Sequence, residues 1–288
     1  MKQIQLPDHT RVPALGMGTW CLGDKPHGWG RERDALVTGI RAGMTLIDTA
    51  EMYGSGRAER LTGEAIVQAG VPREALFVVS KVYPHNASRE GILHACQRSL
   101  QRLGLEDLDL YLLHWRGGVP LAETVDGMEE LAKRGWIRRW GVSNFDLDDM
   151  EELWSVPCGS HCATNQVLYH LGSRGIEFDL LPWLRVRGVV CMAYCPLAQG
   201  GRVRRMDPPF TQCTDIAQIC AEHDITLSQL LLAFCLRDGG VCAIPQSNSP
   251  AHMRENARAA TIQLPSTVWD KLDAIYWPPS GKMHLDIE

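Results

Sequence analysis

Short apolar runs that end on a polar residue recur along the chain, each followed by a loop and then by apolar residues at helical spacing. The runs predict strands over 16–19, 46–48, 77–81, 109–114, 139–143, 163–166, 189–194 and 241–245. Helical spacing covers 31–42, 58–68, 88–103, 121–134, 147–154 and 226–236. In 88–103, Ile92, Cys96, Leu100 and Leu103 share one face, and Ser88 is a fitting N-cap. Most strand starts lie about 24 to 32 residues apart, the length of one strand-helix unit. Eight strands alternating with helices, with no linker in mid-chain, predict a single α/β domain over 1–288, a closed parallel (β/α)8 TIM barrel.

Three segments stand outside the repeat. Apolar residues at 4–6 and 12–15 flank the turn Pro7-Asp-His-Thr10, which predicts a short N-terminal β-hairpin acting as a lid. Residues 266–276 predict an extra C-terminal helix, broken by Trp277-Pro-Pro-Ser-Gly281. The interval between Tyr194 and Val241 exceeds one unit and is read as an enlarged loop plus two helical stretches.

Composition changes this picture little. The 288 residues are 45% hydrophobic and 22% charged, ordinary for a globular chain. A net charge of -5 gives no electrostatic support for a nucleic-acid or anionic-membrane partner. With neither a signal peptide nor eighteen consecutive apolar residues in view, a cytoplasmic location is expected. Ten scattered cysteines are then free thiols in a reducing compartment. Cys158 with Cys162, and Cys191 with Cys195, have metal-like spacing, but the second pair falls in an apolar run where small buried cysteines are common. His161 and His170 complete no convincing ligand set, so no metal site is expected.

The chemistry concentrates at the predicted strand ends, where the loops of a parallel barrel meet. Those ends carry Trp20, Asp48, Lys81, His114, Ser143, Asn144, Gln166, Tyr194, Gln246 and Ser247, with Tyr53 five residues beyond Asp48. A phenol donates poorly to a carbonyl, but an ammonium beside it favours the phenolate, so Lys81 is expected to acidify Tyr53. Burying that lysine requires an opposite charge, which Asp48 supplies. A neutral His114 can donate to the carbonyl oxygen and orient it.

These residues sit in stretches that resemble the aldo-keto reductases. The matching segments are Gly16-Met-Gly-Thr-Trp20, Asp48-Thr-Ala-Glu-Met-Tyr-Gly54 with Gly63-Glu-Ala65, Val79-Ser-Lys81 and Asp109-Leu-Tyr-Leu-Leu-His-Trp115. They continue through Ile137-Arg-Arg-Trp-Gly-Val-Ser-Asn144, Asn165-Gln166, Tyr194-Cys-Pro-Leu197, Ile244-Pro-Gln-Ser247 and Glu255-Asn256. Within the family the chain is most similar to bacterial reductases of methylglyoxal and small aldehydes, through Asn165-Gln-Val-Leu-Tyr-His-Leu-Gly-Ser-Arg-Gly175 and Asp179-Leu-Leu-Pro-Trp183.

The resemblance implies catalytic residues Asp48, Tyr53, Lys81 and His114, with Tyr53 as the general acid in reduction. It implies a nicotinamide dinucleotide on Thr19, Trp20, Asp48, Ser143, Asn144, Gln166, Tyr194, Pro196, Leu197, Gln246, Ser247, Asn248, His252, Glu255 and Asn256. Trp20, Tyr53, His114 and Trp115 line the implied substrate pocket, whose shape depends on Trp115-Arg-Gly-Gly118 and on the C-terminal tail. NADP(H) is the implied cofactor. Gln246 and His252, however, stand where many relatives carry a lysine and an arginine, which leaves NAD(H) open.

Arg202-Val-Arg-Arg205 is a solvated loop or a strap over the cofactor pyrophosphate. The expected partner is a small carbonyl compound, with no obligatory protein partner. Two competing readings are a Schiff-base aldolase working through Lys81 and a non-catalytic cofactor-binding sensor. Gly16-Met-Gly-Thr-Trp-Cys21 is not a dinucleotide fingerprint, since it lacks the third glycine and opens no helix directly.

Overall fold

The computed structural model describes residues 2–25, 27–201 and 209–288. Strands β1 (Gln3–Gln5) and β2 (Arg11–Pro13) form an antiparallel hairpin. Eight parallel strands follow in chain order: β3 (Met17–Gly18), β4 (Leu46–Asp48), β5 (Phe77–Val82), β6 (Leu110–Leu113), β7 (Trp140–Ser143), β8 (Thr164–Leu168), β9 (Val190–Tyr194) and β10 (Val241–Ala243). Isolated parallel bridges Leu15↔Ala243 and Gly18↔Gln246 join the first strand to the last, which closes the expected (β/α)8 barrel.

The strands are short and buried on both faces, as a parallel sheet wrapped by helices requires; β4, β5, β6, β7 and β8 are buried throughout. Their register decides the site. Pairings Gly18↔Asp48, Lys81↔Leu112, Ser143↔Gln166 and Leu168↔Tyr194 bring the polar strand ends to one rim.

The helices follow the predicted spans within a residue or two. Ser88 Oγ accepts from Gly91 N at 3.1 Å and caps the helix Arg89–Leu103. Thr226 and Gln229 form a capping box on Leu227–Cys235. Within Arg57–Ala69, Gly63 permits a close helix–helix approach, because a Cβ there would stand 2.4 Å from the Leu103 carbonyl oxygen. The long interval resolves into a helical turn at Ala198–Gly201, a short 3-10 turn at Phe210–Gln212 and helices Thr214–Glu222 and Leu227–Cys235. Arg202 to Arg205 lies outside the described residues.

Two helices were not anticipated. Leu180–Val186 spans seven residues and includes Pro182, so it offers little periodicity. Pro250–Ala259 is half polar and carries no large apolar residue except Met253, and its buried residues are Met253, Asn256 and Ala259.

The hairpin caps the end of the barrel opposite that rim. Ile4, Leu6 and Val12 are buried, and Arg139, just ahead of β7, reaches Asp8 Oδ2 at 2.6 Å with its Nε. The predicted C-terminal helix is Ser266–Ile275, and the tail beyond it returns to the other face: Lys282 pairs with Asp148 at 2.8 Å, and Ser173 Oγ donates to Asp286 at 2.7 Å.

Candidate active site

At the C-terminal rim a cavity of about 710 Å3 collects Trp20, Asp48, Tyr53, His114, Trp115, Ser143, Asn144, Gln166, Tyr194 and Gln246 from the expected set. Its volume falls in the range of small-molecule and cofactor sites. Trp20, Met52, Trp115 and Ile287, all exposed large apolar side chains, line its walls.

Lys81 lies behind the cavity wall, fully enclosed, and its ammonium uses three acceptors. Nζ donates to Asp48 Oδ2 at 2.7 Å, to the Thr49 carbonyl at 2.9 Å and to Tyr53 Oη at 3.1 Å. Asp48 is held from its other side by Gln166 Nε2 at 2.8 Å. Because Tyr53 accepts from Lys81, its own proton is left for a guest in the cavity. The same enclosure counts against the aldolase reading, since an ammonium with every N–H engaged has no lone pair to attack a carbonyl.

Burial pushes the Asp48 carboxyl up and the Lys81 ammonium down, and their mutual contact opposes both shifts. For Tyr53 the direction corrects the sequence expectation. Burial, followed by the Asp48 charge and the thiols Cys195 and Cys21, raises the phenol well above its ordinary value. The resting residue is therefore a neutral O–H.

Burial, reinforced by the Lys81 charge, drives His114 down to about 2, so its ring is neutral. Its Nδ1 is buried without a partner among the described residues. The ring meets Tyr53 edge-on at 5.7 Å and Trp115 at 4.8 Å.

Across the cavity, Asn144 takes a left-handed backbone conformation, φ 57°, at the end of β7, which asparagine tolerates better than most residues. That turn lets its Nδ2 donate to the His114 carbonyl at 3.1 Å while its Oδ1 accepts from Tyr194 Oη at 2.9 Å. Ser143 Oγ donates to the Gln166 carbonyl at 2.8 Å. Strain of this kind, fixed by surrounding hydrogen bonds, is common where a site must be preorganised.

The remaining expected cofactor residues lie off the cavity lining. Thr19 is buried and its hydroxyl donates to the Asp48 carbonyl at 3.0 Å, a supporting contact. Pro196 and Leu197 continue from β9. Ser247 is buried and accepts from Ser249 N at 3.1 Å, whereas Asn248 and His252 are exposed near the start of Pro250–Ala259. Asn256 is buried with its Nδ2 unpartnered among the described residues, and Glu255 Oε1 accepts from Thr226 Oγ1 at 2.6 Å. An unpaired buried donor on the helix Pro250–Ala259 fits a ligand rich in acceptors, such as a dinucleotide.

Several contributors escaped the sequence reading. Glu59 is buried behind Lys81, where it accepts from Ser80 Oγ at 2.6 Å and pairs with Arg102. Glu51 accepts from Tyr83 N at 2.9 Å and Asn86 Nδ2 at 3.0 Å and fixes the loop after β5. Glu288 lines the cavity near Tyr194 and accepts from Gln199 at 2.7 Å. A first-turn acid such as Glu59 reads locally as a solvated helix residue, so no local signal marked it.

The aldo/keto reductase family model matches residues 14–276. The chain belongs to the aldo/keto reductase family. Methylglyoxal reductase YeaE of Escherichia coli is 48% identical over 286 residues, covering 99% of both chains. Glyoxal reductase of Bacillus subtilis is 32% identical over 94% of this chain and 92% of its own. A Klebsiella pneumoniae aldo/keto reductase, solved in complex with NADP and acetate, superposes with a TM-score of 0.95 at 48% identity, covering 100% of this chain and 99% of that one. This aldo/keto reductase places Asp48, Tyr53 and His114 on the loop-bearing rim of the barrel.

Proposed function

We propose that the protein reduces small aldehydes and 2-oxoaldehydes of the methylglyoxal type to alcohols with NADPH, and that one barrel domain carries the whole activity. The observation that carries this reading is the phenol of Tyr53 held at 3.1 Å by the enclosed Lys81 ammonium, at the edge of a cavity walled by tryptophans. The methylglyoxal and glyoxal reductase relatives support the substrate class, and the complex of the Klebsiella protein with NADP supports the cofactor. The free state of all ten cysteines is in keeping with a cytoplasmic location.

Ser143, Asn144 and Gln166 offer amide and hydroxyl groups to the nicotinamide carboxamide, and the Tyr194 ring forms a wall for its face. Asn256 offers its unpaired Nδ2 to the adenosine end. For the 2′-phosphate the chain presents Ser247, Asn248, His252, Arg254 and the start of Pro250–Ala259 in place of two fixed charges. The bound nicotinamide supplies the hydride to the carbonyl carbon. Neutral His114 donates its ring N–H to the carbonyl oxygen and orients it. Tyr53 gives its proton to that oxygen as negative charge develops there, and Lys81, kept in place by Asp48, stabilises the phenolate left behind.

The test is NADPH oxidation on addition of methylglyoxal, with Tyr53→Phe alongside. The substitution removes only the hydroxyl, so turnover should fall by about 100-fold to 10,000-fold, the usual contribution of a positioned acid. Quenching of protein fluorescence by NADPH should be retained. Parent-like turnover in that variant would remove the assigned role.

A further inference from the structure

On the outer side of the barrel, three side chains from a helix and a turn converge in a way the reductase chemistry does not use. Glu129, on the helix Leu121–Lys133, meets Cys158 and His161, in the turn between the helix Leu147–Ser155 and β8, with one donor atom of each within 4.8 Å of the others. We propose that Glu129, Cys158 and His161 bind a divalent cation of the zinc class, with water in the fourth position.

The donor set is the first argument. Thiolate sulfur, imidazole nitrogen and carboxylate oxygen together are the ligands zinc takes, and three protein ligands leave a tetrahedral ion one open position. An ion pair alone would explain Glu129 and His161, whose Oε1 and Nδ1 stand 3.0 Å apart. It would not explain an exposed thiol beside them.

Geometry is the second argument. Two ligands about 2.0 to 2.1 Å from a tetrahedral zinc stand about 3.3 Å from one another, close to the observed nitrogen–oxygen separation. A sulfur about 2.3 Å from the metal stands roughly 3.6 Å from each of the other donors, so from within 4.8 Å Cys158 closes by about 1.2 Å at most, within reach of one side-chain rotation.

The frame around the donors is already fixed. Cys158 adopts a left-handed conformation, φ 62°, and His161 N donates to its carbonyl at 2.9 Å, so two ligands sit on one tight turn. Gly159 presses that turn against the preceding helix, since a Cβ there would stand 1.8 Å from the Leu153 carbonyl oxygen. The Trp140 indole N–H donates to Glu129 Oε1 at 2.7 Å, the kind of supporting contact that orients a ligating carboxylate. Cys162, the other cysteine of the turn, points inward and is buried, with its thiol on the Thr164 carbonyl at 3.4 Å, and takes no part.

Trp140 opens β7 and Thr164 opens β8, whereas the cavity lies at the far ends of those strands, so the ion ties a helix to a turn and stays away from the reacting carbonyl. The proposal is therefore independent of the reductase reading.

The test is titration of chelator-treated full-length protein with zinc chloride against a chromophoric chelator, together with thermal unfolding. The parent should bind one zinc per chain and unfold at a higher temperature when loaded. Loss of a supporting contact alone costs about 10-fold to 100-fold in metal affinity, so Cys158→Ser and His161→Ala, which remove ligands, should each weaken binding by about 100-fold or more. Circular dichroism of each variant checks that it is folded, and a cobalt-loaded parent should show a thiolate charge-transfer band that Cys158→Ser lacks. Zinc binding that persists unchanged in both variants, or no binding by the parent, overturns the proposal.

Discussion

Replacing Asp48 by asparagine separates the charge of the buried pair from its shape. One carboxylate oxygen accepts from Lys81 at 2.7 Å and the other from Gln166 at 2.8 Å. Asparagine has a single acceptor oxygen, so one of these donors would face an N–H. At an effective dielectric constant of about 20, unit charges at this separation attract by about 6 kcal/mol, and removing one member of a buried pair costs about 3 to 5 kcal/mol in practice. With an unfolding entropy of about 2.1 cal/mol/K per residue over 288 residues, that loss lowers the unfolding midpoint by about 5 to 8 °C.

The pH dependence has a definite sign. Burial lowers the Lys81 pKa below its ordinary 10.5, so between the folded value and 10.5 the unfolded chain holds the extra proton, and stability rises with pH. Removing Asp48 deletes the charge that raises Lys81, which widens this window downward. The stability deficit of the variant should therefore shrink as pH rises from neutral into the alkaline range. The assays are thermal unfolding across that range and steady-state reduction of methylglyoxal, which should also fall once Lys81 loses its partner. A variant that melts within about 1 °C of the parent at every pH and turns over normally refutes this account of the pair.

Three further outcomes follow from individual contacts. Because His114 is driven down to about 2, turnover should show no ionisation near 6.5, read from a pH–rate profile; below about 6.5 the unfolded chain takes up a proton that the folded ring refuses, so this residue costs stability as pH falls. Installing the missing charges with Gln246→Lys and His252→Arg should tighten NADPH by about 10-fold to 100-fold and leave NADH nearly unchanged, as measured by fluorescence titration. Gly63→Ala drives a methyl group into the Leu103 carbonyl and should cost about 1 to 3 kcal/mol in denaturant unfolding, with activity retained in the folded fraction.

The barrel was legible because the parallel strands are short apolar runs with polar residues at or near their C-terminal ends. Asp48, Lys81, Ser143, Gln166 and Tyr194 stand within two residues of those ends, and the register sets them on one rim. What escaped the reading belongs to contacts between distant segments. Glu59 behind Lys81 and Glu129 beside His161 look locally like solvated helix residues, and only the packing of neighbouring elements gives them partners. The tail carries no periodicity, yet Lys282 pairs with Asp148 and Ile287 and Glu288 enter the cavity wall, contacts set by the rim it crosses.

Tyr53 shows why proximity in sequence was an incomplete guide to its acidity. A neighbouring ammonium lowers a phenol's pKa in water, but here the net direction is upward, because enclosure raises it and the Asp48 carboxylate adds to the rise. The two effects act at different moments. Before reaction burial dominates and keeps the proton on oxygen. In the proposed mechanism, once negative charge develops on the carbonyl oxygen the proton moves toward it and a phenolate forms 3.1 Å from Lys81, where the ammonium stabilises a charge that was absent in the resting state. The proposed relay from Asp48 through Lys81 to Tyr53 thus relies on selective stabilisation of the charged product of proton transfer. The hydroxyl can remain a weak acid at rest and still serve as the proton donor.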